Sequence, residues 1–478
     1  PDAPASGETD ILVFTTTDGG TTWYGALAID AAGEFSMSNI SKLTLLGAAG
    51  AGGGGPFWIA LLGGTGPDES RSVATDSSNN VIIAGMTSPD GAYGNNFLLV
   101  AKYDLDGALL WDKILGKSGS FDQGSGVAVD SADNIIVCGS TASVGAGDDD
   151  VLVAKYNSSG TLQWDRTLGG NSADQGLDVA IDSSDNIIVS GNCLSDGQGS
   201  FDFLIAKYNS SGTLQWDRTL GSSSTERGNS VAIDSADNII VCGESDGVGA
   251  GSNDLLVAKY NSSGTIQWQK SLGGTSADTG TGVAIDSADN IIVCGSTDSA
   301  GAGGSDLLVA KYNSSGVIQW QKILGGTGSD IPGKVAVDSS DNIVVCAYTT
   351  SAGAGSLDYL IAKYNSSGTL QWDKTLGGTG FDQGMSVTVD SANNVIVCGR
   401  TQSDGEGSYE CMIAKLPSDG SGDGTYGVFV YQDASLTAAT SSLTSASSSA
   451  TDAPAVLTSA AASLTSADAS LTSELFPI

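Results

Sequence analysis

The chain has 478 residues, 19 of them Lys or Arg against 54 Asp or Glu, for a formal net charge of −35. Such a surface repels nucleic-acid phosphates and anionic lipid faces, so neither is expected as a partner; cations and basic protein surfaces suit it better. There is no histidine, which removes imidazole base catalysis, His-ligated zinc and the Ser-His-Asp triad together.

No stretch approaches the roughly 18–20 apolar residues of a membrane span, so membrane insertion is not expected. Gly is abundant at 67 residues and aromatics make up 6%, a profile of short strands joined by Gly-rich turns.

Residues 1–55 form a separate unit. The opening Pro1-Asp2-Ala3-Pro4 fits a cytosolic product without its initiator Met, or equally a mature chain whose signal is gone. Ile11-Leu12-Val13-Phe14 is a strand candidate, and Thr16 to Trp23 resembles the Asp-box hairpin of sialidase-type propellers, a turn device rather than a catalytic motif. Gly47 to Gly55 reads as a Gly/Ala linker. The expectation for 1–55 is a β/Gly-rich docking segment.

Residues 56–432 repeat. Trp58, Trp111, Trp164, Trp216, Trp268, Trp320 and Trp372 are spaced 53, 53, 52, 52, 52 and 52 apart. The fifth unit shows the pattern: Gly282 to Asp286, a Ser-Ala-Asp-Asn turn, Ile291 to Gly295, a Gly-rich loop, Leu307 to Tyr312, an Asn-Ser-Ser-Gly turn, then Val317 to Trp320. Each run is short, rich in β-branched and aromatic residues, and bounded by turn formers, so four antiparallel strands per unit make one propeller blade. The first-strand motif ends seven times, at Asp76, Asp130, Asp182, Asp234, Asp286, Asp338 and Asp390. The Trp strand precedes the first unit at Phe57–Leu62 and is missing after Lys415. Blade seven is therefore expected to take its outer strand from the N-terminal side, leaving no open edge; Tyr426–Tyr431 is the competitor for that place. The predicted fold is all-β, a seven-bladed β-propeller of four-stranded blades.

These units resemble the seven-bladed β-propeller repeat family of bacterial, archaeal and phage proteins, a resemblance that covers about residues 56–420 and implies fold but no single activity. The Ala-Lys-Tyr-Asn-Ser-Ser-Gly stretch with its Trp is also similar to the Trp-docking repeat of quinoprotein dehydrogenases, which would imply eight blades and cofactor-binding residues that this chain lacks. Trp111-Asp112 and its three counterparts look like WD repeats without their Gly-His partner.

One acid recurs eight residues before each first-strand Asp: Asp68, Asp122, Asp174, Glu226, Asp278, Asp330 and Asp382. A second set precedes the third strand: Asp150, Asp202, Asp254, Asp306, Asp358 and Glu410, with Phe97 in blade one. Both belong to loops on one face, which also carries most of the blade-to-blade variation. The favoured reading is loop capping by accepted backbone N–H bonds; the functional one is a binding face whose oxygens take Ca²⁺ or attract a basic partner. The seven lysines from Lys102 to Lys415 close the third strands, and each is expected to pair with an acid of its own blade. The Asn-Ser-Ser turns match a glycosylation sequon but read first as turn chemistry. Five of the seven cysteines share one apolar repeat position and read as buried free thiols in a chain folded under reducing conditions.

The tail, residues 433–478, has a period of seven. Leu436, Leu443, Ala450, Leu457, Leu464 and Leu471 are seven apart, with Ala439, Ala446, Ala453, Ala460 and Ala467 three residues after the first five. This is an a/d-like heptad, although Ser and Thr are weak helix formers and Pro454 interrupts it. One reading is a flexible tail; the other makes Leu436, Leu443, Leu457, Leu464 and Leu471 packing residues for self-association or a partner.

The functional expectation is a non-enzymatic structural or binding protein with no catalytic residues and no resident cofactor, Ca²⁺ excepted. Its setting is a virion, assembled in the host cytoplasm, where a phage capsid- or tail-associated appendage presents the propeller to a glycan or protein receptor among other virion or surface proteins. The alternatives are a secreted or cell-surface prokaryotic binding propeller, and a propeller glycan hydrolase or lyase. The last would need one blade with chemical residues the others lack.

Overall fold

The computed structural model describes residues 57–447, apart from 89–90, 92–93, 198, 406–407 and 442, together with the strand segments Ile11–Thr15, Thr22–Ala26, Thr451–Pro454, Thr458–Ala460, Ser466–Ala467 and Thr472–Phe476. Seven sheets form the blades. The fifth is typical: Asp278–Ile285, Ile291–Thr297, Asp306–Tyr312 and Ile318–Gly325 pair in sequence as an antiparallel meander. Its third strand is buried along its whole length and its second nearly so. That is why both read as near-continuous apolar runs: each blade is covered on both faces by its neighbours. The fourth strand begins half-exposed and ends buried, as an outer strand should.

The core is accordingly not one centre but a series of layers between blades. In one layer Ile136, Cys138, Val151 and Val153 of blade two meet Val179, Ile187, Val189 and Leu204 of blade three. Each such aliphatic side chain contributes about 1.5–3 kcal/mol relative to exposure. All seven cysteines are free and buried, as expected of small apolar fillers. Burial raises the thiol of Cys398 to about 12.

Ring closure follows the sequence expectation. Trp58–Gly63 pairs with Glu410–Leu416 as the fourth strand of blade seven, Trp58 lying opposite Lys415. The competitor goes elsewhere: Gly424–Tyr426 and Phe429–Asp433 form a hairpin on the outer edge of blade six. The N-terminal strands Ile11–Thr15 and Thr22–Ala26 pair with each other; the Asp-box turn and the Gly/Ala linker lie outside the described residues.

Three sets of links tie neighbouring blades, each repeated around the ring. Lys102 Nζ contacts Asp76 at 2.8 Å within its blade and Lys311 contacts Asp286 at 2.6 Å, while Lys102 also donates to Ser158 O of the next blade at 3.3 Å. The five other third-strand lysines make the same pair, through to Lys415 with Asp390 at 3.0 Å. Ser77 donates to Asp133 of blade two, and the series continues until Ser391 N donates to Asn79 Oδ1 at 3.0 Å, closing the circle. Asn79 and Asp133 sit at φ of 61° and 59°, the left-handed region that Asn and Asp tolerate best after Gly. The turn glycine Gly160, at φ 80°, lies flat on Trp111 of the preceding blade; a Cβ there would come within 2.9 Å of the indole.

The tail corrects the helical expectation. Among the described residues its regular elements are strands, and each adds a fifth strand to one blade. Phe429–Asp433 joins blade six, Thr437–Thr440 blade five, Thr444–Ser447 blade four, Thr451–Pro454 blade three, Thr458–Ala460 blade two, Ser466–Ala467 blade one, and Thr472–Phe476 blade seven. The tail thus runs round the rim against the order of the blades. Its period of seven is the distance between blade edges in residues: a short strand along one edge, then a link to the next, within the roughly 23 Å that seven extended residues can span. Leu436 and Leu443 are packing residues, but against this chain's own propeller. Leu443 is buried in the layer between blades four and five, and Leu436 packs on the layer between five and six. Leu457, Leu464 and Leu471 lie outside the described residues.

Candidate binding site at the channel mouth

The acid ring is not an open acidic face. Asp68, Asp122, Asp174, Glu226, Asp278, Asp330 and Asp382 are each 0% exposed, and each starts an innermost strand. Their oxygens serve their own loops. Asp278 Oδ2 accepts from Gly274 N and Ser299 Oγ, both at 2.7 Å. Asp174 accepts from Gly170 N at 2.8 Å and Leu194 N at 3.0 Å, and Glu226 from Ser222 N at 2.8 Å and Ser245 Oγ at 2.8 Å. Asp68 accepts from Gly64 N at 2.7 Å. Asp122, Asp330 and Asp382 take the hydroxyls of Thr141, Thr349 and Thr401. The capping geometry accounts for the sevenfold recurrence: one carboxylate replaces water for the loop donors that a tight inter-blade turn would strand.

The second acid set is also buried and lies against the first. Asp254 of blade four and Asp278 of blade five converge on Gly273, and Asp306 and Asp330 converge on Gly325, where an added Cβ would overlap the first acid of each pair and lie 3.0 Å from the second. Oδ1 of Asp150, Asp254, Asp306 and Asp358 finds no hydrogen-bond donor among the described residues. Burial, with the neighbouring carboxylate as a smaller contributor, raises these four acids to about 6. Among the described residues, no group of three or more His, Cys, Asp or Glu side chains is arranged to hold a metal ion.

The positions that differ from blade to blade lie elsewhere. The seven first strands neighbour one another in cyclic order and form the inner wall of the ring. The residue after each acid pairs with the penultimate residue of the second strand. Around the ring these pairs are Glu69 with Met86, Gln123 with Ser140, Gln175 with Asn192, Arg227 with Glu244, Thr279 with Ser296, Ile331 with Tyr348, and Gln383 with Arg400. No two pairs are alike, although the second and third strands and the two turns of the opposite face repeat closely. The fourth residue of the first strand varies as well, as Arg71, Ser125, Leu177, Asn229, Thr281, Gly333 and Met385, so the mouth and the inner wall below it carry much of the difference between blades.

Charge gathers in this ring. Glu69, 4% exposed, accepts from Arg71 at 2.5 Å and from Arg400 at 2.7 Å. Arg71 also reaches Gln123 Oε1 at 2.5 Å, and Arg400 grips Gln383 Oε1 with Nε at 3.0 Å and Nη2 at 2.7 Å. The network joins blades seven, one and two. On blade four, Arg227 pairs with Glu244 at 2.9 Å. Aromatic rings from the facing loops back two of these guanidiniums, Tyr409 under Arg400 at 4.5 Å and Phe201 under Arg227 at 5.6 Å. Deeper along the first strands, Lys334 of blade six spans the ring to Asp178 of blade three at 3.0 Å and donates to Asn229 O of blade four at 2.6 Å. Lys334 and Asp178 lie three blades apart, so their ion pair links opposite sides of the inner wall below the mouth.

None of these residues belongs to the recurring part of the repeat. The signal was present, in the columns of the repeat alignment that refuse to repeat.

A closed ring of seven antiparallel blades around a side-chain-lined channel defines a β-propeller. Two family models agree: "Beta-propeller repeat" matches residues 267–301, and "Domain of unknown function (DUF5122) beta-propeller" matches residues 236–266. Over these residues the repeat of this chain is similar to both models. An uncharacterized WD repeat-containing protein of Acanthamoeba polyphaga mimivirus is 24% identical over 283 residues, 50% of this chain and 19% of that protein. The chain therefore spans about a fifth of that relative's length. Among solved structures, the Neurospora crassa Pan2 WD40 domain aligns with TM-score 0.45 at 10% identity, covering 74% of this chain and 90% of that one. A Xanthomonas campestris gluconolactonase aligns with TM-score 0.36 at 12% identity, covering 73% and 98%.

Proposed function

We propose that this chain is a non-enzymatic binding propeller that presents its channel mouth to a ligand, with the tail as a belt holding the blades in register. The observation that carries the reading is that the inner-wall and mouth positions differ from blade to blade, the seven unlike pairs among them, while the strands behind them repeat. Binding specificity needs local difference on a rigid support, and that is the distribution of variation here. The charged side chains described at the mouth sit in mutual ion pairs and amide hydrogen bonds, an arrangement that orients donors toward a ligand. Incubation of the full chain with a panel of glycans and peptides, followed by mass spectrometry, should give retained ligand and no shortened products; new product masses would overturn the reading.

A virion setting remains our proposal for its place of work. It is supported by the viral origin of the mimivirus relative and by an acidic chain whose seven cysteines are buried free thiols. Mass spectrometry of density-purified particles from the producing culture would detect its peptides in the particle fraction; their recovery only from the medium or the cell envelope would favour the secreted alternative.

A further inference from the structure

Three of the five arginines in this chain, Arg71, Arg227 and Arg400, stand at the channel mouth. That concentration is not a property of basic residues here in general, since seven lysines are consumed by the buried Asp pairs that close the third strands. Arginine differs from lysine in presenting a planar fork of five N–H donors that matches the two oxygens of a carboxylate, sulfate or phosphate. Arg71 and Arg400 share the single carboxylate of Glu69, so this trio carries a net charge of +1 inside a chain of −35, while Glu244 balances Arg227. Solvent reaches all three guanidiniums: the side chains are 27%, 43% and 28% exposed for Arg71, Arg227 and Arg400. Their orientation is set in advance by Gln123, Gln383, Tyr409 and Phe201, which lowers the entropy that binding must overcome.

We propose that the channel mouth binds an anionic saccharide, its carboxylate or sulfate gripped by Arg71 and Arg400, with Arg227 across the ring as a second anion contact. The inference rests on the binding reading above. A saccharide is favoured over a bare anion because the guanidiniums alternate with amides and hydroxyls, Gln123, Gln383, Thr279 and Ser296, that suit sugar hydroxyls, and because Tyr409 and Phe201 supply rings beside the charges. Nucleic acid and anionic lipid bilayers, which carry many charges over an extended surface, meet the repulsion of the whole molecule; a short acidic glycan can meet the exposed guanidiniums directly.

The test is isothermal titration of the full chain at low salt with three oligosaccharides of equal length: an oligogalacturonate, a sulfated oligosaccharide and a neutral cello-oligosaccharide. Sodium acetate and sodium sulfate serve as bare-anion arms. Binding of the carboxylated or the sulfated oligosaccharide, with none for the neutral one, is expected, and the preferred arm identifies the oxyanion. R400K keeps a charge beside Glu69 but loses the fork, and R227Q leaves that trio untouched; each should weaken binding by about tenfold or more with an unchanged melting temperature. No binding of either acidic saccharide, equal binding of the neutral one, or full affinity in both folded variants would overturn the proposal. Shortened saccharides in the titration cell would instead overturn the binding-only reading while leaving the anion site standing.

Discussion

Ala439 lies directly opposite Ile323, three residues beyond Trp320, and this one register recurs at every blade. Ala446 faces Ser271, Ala453 faces Thr219, Ala460 faces Thr167, Ala467 faces Ile114 and Glu474 faces Leu61, each partner three residues past its own Trp. Seven residues of tail advance the chain by one blade without a slip. The belt covers edges that would otherwise offer unpaired N–H and C=O groups to other chains.

Deleting residues 434–478 should therefore leave a closed ring, because Trp58–Gly63 still completes blade seven. It would expose the outer edges of six blades. The melting temperature is expected to fall by on the order of 5 °C, and the protein to associate with rising concentration. Calorimetry and light scattering of the truncated and full chains check this; a truncated chain as stable and as monomeric as the full one would deny the tail a structural role.

Trp58→Ala attacks closure itself. The side chain is 3% exposed, packs between blades seven and one, and its Nε1 donates to Leu105 O at 3.2 Å. Removing it should cost about 3–5 kcal/mol. The equivalent change at Trp268, in an internal blade, should cost less, because its indole is only partly buried and the chain is covalently continuous on both sides. Paired denaturant titrations of the two variants give the comparison directly.

Lys311→Met should be among the most destabilising changes in the chain. It strands Asp286, whose carboxylate is buried and held below the ordinary range by Lys311 and Asn290 despite its burial. Breaking a buried pair from one side costs about 3–5 kcal/mol. The double variant Lys311→Met with Asp286→Asn should recover much of that loss, which a double-mutant cycle in urea would measure.

The sequence made the blade, its count and its closure legible because copying leaves a periodic trace: seven tryptophans, seven Asp–Lys pairs, and one Trp strand displaced to the front. The tail misled because a period of seven is ambiguous. Two turns of a helical seam and the step between blade edges both take seven residues, and only the coincidence of seven tail segments with seven blades separates them. The Thr-x-Ala pattern in five of the six heptads, ending in Thr472-Ser473-Glu474, places β-branched Thr in the edge strands. The acids recurred for the same reason as the tryptophans, as parts of the frame, so their regularity marked them as structural. The mouth went unread because its residues share no pattern at all.

The two buried acid populations predict an unusual pH dependence of stability. Asp68, Asp150, Asp254, Asp306 and Asp358 are raised by burial to about 6, so in the folded chain they take up protons that the unfolded chain releases. Their contribution is complete at pH values below the ordinary carboxylate range and is lost as pH rises through about 6. The Lys-paired acids Asp76, Asp130, Asp182, Asp234, Asp286, Asp338 and Asp390 are lowered by hydrogen bonds from Lys and Asn. Their contribution is present above the ordinary range and fades as pH falls below it. The two windows overlap between about pH 4 and 6. The melting temperature should climb on acidification from pH 8 to about 5, then drop steeply below about 4 as the Lys pairs lose their partners. Asp254→Asn with Asp306→Asn supplies neutral isosteres at two of the raised sites, where Asn can still accept the Ala302 N–H that Asp306 now receives at 2.8 Å. That variant should melt higher than the parent at pH 8, match it near pH 5, and show a shallower slope between. Scanning calorimetry at constant ionic strength reads all three. A parent whose stability rises monotonically from pH 5 to 8 would mean that the inter-blade acids ionise without cost, and with it the carboxyl pairing at Gly273 and Gly325 would fail.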